Sequence, residues 1–149
     1  GPVACMANNA AATKAVACII PSARKSRRKS WFKTKNGKAH MEYMRIEEVT
    51  EFSLGKRIRK KLLGSEKIVA GLLCYEPGQS TPKHHHLKQD GFFYVIEGNG
   101  RIIVGEEQAP LNSKSLVFVP AGTTHGIRAA DDSRLVVLFL KAPASTSPV

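Results

Sequence analysis

The sequence predicts an all-β domain, a sandwich or barrel of short antiparallel strands, preceded by a basic amino-terminal arm. Three observations carry this reading. From Arg45 onward no stretch keeps a helical apolar period beyond two turns. Short runs rich in Val, Ile, Leu, Phe and Tyr alternate instead with Gly, Pro, Asn and Asp punctuation, the pattern of strands joined by tight turns. The charge is also uneven: residues 1–43 hold nine Lys and Arg against one acid, Glu42, and residues 44–149 hold fourteen against eleven. The composition breaks near Met44.

The expected organisation is therefore an arm over 1–43, a barrel over 44–141 and a small, polar, Pro-containing tail over 142–149 that should fray. A chain of 149 residues suits one domain with a real core. Gly1-Pro2 reads as the remnant of a protease-cleaved tag and is left out of the fold. The basic run 22–30 can neutralise phosphates on nucleic acid or an anionic surface and fits the composition of an organelle transit peptide, but the plainer reading, a solvated extension or a segment upstream of a native start at Met44, comes first. No run of about 18 apolar residues exists, so no membrane-spanning helix is expected. Three cysteines without CxxC spacing argue against a disulfide framework and for a reducing compartment, the cytoplasm.

Eight strands are expected in order. The first, 56–63, opens on the basic alternation from Lys56 to Lys61, which reads as a solvated edge that discourages sheet-to-sheet aggregation. The second, 67–76, ends at Glu76-Pro-Gly. A short third, 84–86, carries three histidines, and a fourth, 92–97, is apolar on both faces: Phe92, Tyr94 and Ile96 on one, Phe93 and Val95 on the other. Both faces of that strand need cover, by a second copy of the chain or by the arm, and a homodimer is the economical expectation. Asn99-Gly100 predicts a type I′ hairpin into the fifth strand, 101–104. Strands at 115–119, 125–129 and 134–141 follow, separated by Pro120-Ala-Gly122 and Asp131-Asp132.

Four of the five histidines fall in two places, His84-His85-His86 and His125. Alternate residues of a strand share a face, so His84 and His86 can point at one metal while His85 points away. His125 from a distant strand completes a facial set of imidazoles with positions left open. The competing reading is a solvated polar run and a lone hydrogen-bonded histidine.

The surroundings favour the metal. Gly78, five residues, His84-x-His86 and the closing Gly98 resemble the first motif of the cupin family, and Pro120-x-Gly122-x-x-His125 resembles its second. The resemblance covers Met44 to Lys141 and implies a small RmlC-like double-stranded β-helix, or jelly roll, holding one divalent ion (Fe, Zn, Ni, Mn or Cu), usually as a dimer. The departures matter too. The family's Glu ligand falls on Gly91, its glycine before the second motif is Lys114, and the Asn after its last histidine is Ala129. Gln89 and Asp90 are candidate additional ligands, out of register for a direct substitute. Leu73, Phe93, Val95 and Val119 are candidate pocket walls.

Three neutral imidazoles leave the full charge on the ion, which suits a small anionic or chelating molecule. Within the superfamily this arrangement is similar to the three-His iron sites of thiol and diketone-cleaving dioxygenases. The expectation is a metal-dependent enzyme, with dioxygenase ahead of isomerase, lyase or decarboxylase; the alternative is a non-catalytic binding or sensing module. No Ser/His/Asp set or second carboxylate offers a general base, and Tyr75, Tyr94 and Glu76 are the nearest ionisable groups. The expected partners are a small-molecule ligand and a second copy of the chain, with no membrane; the arm and Lys56–Lys61 are the places where nucleic acid could engage.

Overall fold

The computed structural model describes residues 41–144. Nine strands build two antiparallel sheets. They are β1 (Ile58–Gly64), β2 (Val69–Tyr75), β3 (Ser80–His84), β4 (Asp90–Gly98), β5 (Gly100–Val104), β6 (Glu107–Leu111), β7 (Leu116–Val119), β8 (His125–Ala129) and β9 (Leu135–Ala142). One sheet runs β1-β2-β9-β4-β7 and the other β3-β8-β5-β6. Alternation decides the core: Leu73 and Tyr75 of β2, Phe93 and Val95 of β4, and Val137 and Phe139 of β9 point inward against Ile102, Leu111, Ile127 and Ala129. The double-sheet barrel is the expected all-β architecture.

A single helical turn, α1 (Ile46–Val49), was not anticipated. Ile46 and Val49, three apart, turn the same way, and the Thr50 hydroxyl and N–H both donate to the Ile46 carbonyl, closing the turn. With Met44 and Phe52, these residues cover Leu62, Leu72, Cys74 and Val136 on the outer face of the larger sheet. Ile96 joins that cluster. The rest of the same strand face stays open, with Phe92 at 45% and Tyr94 at 38% exposure beside the exposed Leu116 and Phe118 of the edge strand β7.

Three local expectations need correction. Asn99-Gly100 is no hairpin: β4 pairs with β7 and β9, whereas β5 pairs with β6 and β8, so the chain changes sheets there. The left-handed residue is Gly98 (φ 87), where a Cβ would collide with the Arg134 carbonyl. The tight hairpin is the next one, Gly105-Glu106 between β5 and β6, with Gly105 at φ 60 in the first central position. Strand β6 itself escaped notice because it is polar and contains Pro110, which the outer edge of a sheet tolerates. Finally, the third strand ends where it was expected to begin: it is Ser80–His84, and His85 and His86 lie in the following loop. The basic arm's first 40 residues and the tail from 145 lie outside the described residues.

Candidate metal centre

His84 at the end of β3 and His125 at the start of β8 are cross-strand partners. The β3–β8 ladder slips between Thr81 and His84. In a regular strand two residues three apart face opposite sides; the slip at Pro82 and Lys83 turns both Thr81 and His84 to one cavity. Pro82 suits the irregularity, having no N–H to give the ladder. Although His86 has left the strand, the alternation persists into the loop: His85 is exposed, and His84 and His86 are half-buried. The rings of His84, His86 and His125 converge, with centroids 4.5 to 5.8 Å apart and one nitrogen from each within 4.8 Å of the others.

The hydrogen bonds set the tautomers. His84 Nδ1 donates to the Pro82 carbonyl at 2.9 Å, and His125 Nδ1 donates to the Thr123 carbonyl at 3.0 Å. A carbonyl only accepts, so Nδ1 carries the proton and Nε2 keeps its lone pair. His125 Nε2 is buried and has no hydrogen-bond partner among the described residues. Such an atom is costly unless something binds it. These three histidines therefore fit a divalent ion, with backbone carbonyls orienting two of the rings. Burial, and next the Lys141 charge, push His86 down to about 4; burial also lowers His125, partly offset by the Thr123 carbonyl. Both rings are neutral at pH 7, the form that ligates metal.

A cavity of about 380 Å³ opens beside the three rings. Leu73 and Phe93 line it, and Val119 lines a small adjoining cavity. Val95 lines neither; it is sealed in the core. The two suggested extra ligands are engaged elsewhere: Gln89 Nε2 donates to the Pro143 carbonyl, and Asp90 Oδ1 accepts from the Ala121 N–H. Of the ionisable candidates, Tyr94 points outward, Glu76 is held by Arg134, and Tyr75 shares a hydrogen bond with Thr81 at 2.7 Å. Burial pushes Tyr75 up to about 12, so it keeps its proton.

Sequence reasoning missed the cations. Arg57 and Arg59 line the cavity, although their run reads as a solvated edge; Lys60 pairs with Glu51 instead, and Lys56 and Lys61 are exposed. Lys141 is 7% exposed, and its ammonium lies 2.6 Å from His86 Nε2, a hydrogen bond that a metal bound at that nitrogen would displace. Burial, aided by Arg59, pushes it down to about 8. Parity was the available signal: Lys141 continues the inward series Val137, Phe139. Opposite it in β4 stands Gly91, the position where a ligand carboxylate was expected.

Comparison with known proteins agrees with this geometry. Residues 71–141 match the family described as the cupin domain. The chain is 26% identical over 86 residues to the polyketide synthase CurC of Streptomyces cyaneus, covering 58% of this chain and 56% of that protein. It is 31% identical over 86 residues to the tetracenomycin polyketide synthase protein TcmJ of Streptomyces glaucescens, covering 58% of each. The matches thus span little more than half the length of these relatives. The crystal structure of TT1209 from Thermus thermophilus superposes with a TM-score of 0.66 at 31% identity, covering 69% of this chain and 98% of that one.

Proposed function

The chain belongs to the cupin family, and from that premise we propose that it is a small metal-dependent enzyme acting on an anionic or chelating molecule, a dioxygenase before an isomerase, lyase or decarboxylase. One observation carries the proposal: three imidazoles, two with carbonyl-fixed Nδ1 protons, converge beside a cavity with no carboxylate among its described lining residues. A divalent ion held by three neutral ligands supplies undiminished Lewis acidity or, for iron, redox chemistry. The chain's own groups do the rest. The Thr123 and Pro82 carbonyls hold the rings in the ligating tautomer. Leu73, Phe93, Ile127 and Phe139 make apolar walls that exclude water. The cations of the lining favour a negatively charged ligand. The names of CurC and TcmJ, both polyketide synthase proteins, support an oxygen-rich, enolisable ligand.

Among the described residues the cavity lining includes no Asp, Glu or Tyr to serve as general base, which favours metal-centred chemistry and also supports a second reading, a non-catalytic cupin that binds or senses its ligand. Anaerobic iron loading followed by oxygen uptake with thiols, diketones, catechols and oxo acids decides between them. Substrate-dependent uptake that disappears in His84→Ala supports the enzyme. Tight ligand binding with no turnover under any metal supports the module.

A further inference from the structure

The larger cavity is walled by cations that nothing in the described structure neutralises. Lys141 is buried, and neither it nor Arg59 nor Arg57 reaches a carboxylate among the described residues. Arg59 and Lys141 rest against the same Phe139 ring, at 5.0 and 5.5 Å from its centroid. That ring is seated over Gly71, where any Cβ would collide with it, so its place between the two cations is set by β2. A desolvated ammonium facing the Arg59 guanidinium is unfavourable unless an anion joins them. The Lys141 ammonium also lies at hydrogen-bond distance from His86, so an anion bound to it is adjacent to the three-His centre.

We propose that Lys141 and Arg59 form a carboxylate subsite next to the three histidines, so that the ligand is a small organic acid with its carboxylate on Lys141 and Arg59 and a second oxygen within reach of the metal. The cation–π seat on Phe139 fixes where the two positive groups stand. An α- or β-oxo acid carries both a carboxylate and a further oxygen donor. Neutral diketones and catechols lack the charged end and leave the two cations unpaired. This inference rests on the reading of the cavity as a ligand site, and it assigns the specificity of that site to two residues outside the metal-binding set.

The test uses the full chain, pyruvate, and pyruvamide as its uncharged counterpart, in chloride-matched buffer. Binding is followed by calorimetry with cobalt-loaded protein and by melting temperature with metal-free protein. Pyruvate should bind at least tenfold more tightly than pyruvamide. Lys141→Met and Arg59→Met should each abolish that preference while leaving cobalt affinity no lower than in the parent. Pyruvate should also raise the melting temperature of metal-free parent and not of Lys141→Met, which reads the subsite even if cobalt does not bind. Failure of cobalt binding alone therefore counts against the metal reading and not against the subsite. Equal binding of pyruvate and pyruvamide, or an unchanged preference in both variants, overturns the proposal.

Discussion

Gly91 and Lys141 are direct partners across the β4–β9 ladder, and both line the small cavity beside the His86 ring. A residue without a side chain thus faces a buried ammonium at the edge of the metal centre. The local charge is reversed relative to a site in which position 91 carries a carboxylate.

Gly91→Glu follows from that pairing. A Cβ at 91 meets the Phe93 ring edge at 3.3 Å, a contact that a small ring shift accommodates. The new carboxylate pairs Lys141 and joins the ligand set. Metal affinity should equal or exceed the parent's, and any activity that needs an undiminished metal charge should fall. Weaker metal binding by a folded variant would count against the register.

Lys114 has φ 72, in the left-handed region that costs a side-chain-bearing residue about 1 kcal/mol. Its N–H donates to the Val95 carbonyl, which fixes the turn. Lys114→Gly should therefore stabilise the domain by about 1 kcal/mol in urea unfolding, without change in metal affinity. No gain, or a loss, would contradict the assigned backbone conformation.

The pH dependence of the metal-free protein follows from His86 and His125. Their folded values are depressed, His86 to about 4, while imidazoles in the unfolded chain titrate near 6.5. Between about pH 4 and 6.5 the unfolded chain binds more protons than the native one, so stability falls as pH drops through that window. Above it these groups contribute no slope. Melting temperatures at pH 7.5 and 5 should show the loss, and it should shrink in His86→Gln. A melting temperature that holds constant across the window would exclude neutral, desolvated rings.

Much of this was legible in the residues because alternation is a local signal. His84 and His125 could be set on one site from their spacing within two short motifs, and the inward series of β4 and β9 from parity alone. What escaped is what tertiary pairing decides. Nothing local to Asn99-Gly100 says that β4 and β5 join different sheets, since the obstruction at Gly98 is the carbonyl of Arg134, distant in sequence. The third strand lies mostly before the histidines, taking in His84 alone, and its ladder slips at Pro82–Lys83. Arg59 reads as solvated because a basic strand is usually an exposed edge; here Phe139 and the cavity receive it.

The outer sheet face makes a prediction about assembly. Phe92 stacks with Phe118 at 5.0 Å between centroids, and with Tyr94 and Leu116 it forms an exposed apolar patch on adjacent strands. A homodimer through this face is expected at tens of micromolar by light scattering, and Leu116→Glu with Phe118→Glu should yield monomers. Removing residues 1–43 should leave the dimer intact. A monomeric parent that associates only after that truncation would identify the arm as the cover instead.

The central claim is that His84, His86 and His125 hold one divalent ion, and metal titration of the parent and its single-alanine variants tests it most directly. The parent should bind one equivalent of cobalt or zinc, with affinity lost as pH falls toward about 4, where the desolvated His86 ring protonates. His84→Ala, His86→Ala and His125→Ala should each lose about 100-fold or more, whereas His85→Ala, whose ring is exposed, should bind as the parent does. Equal metal retention by all four variants and the parent would contradict the account.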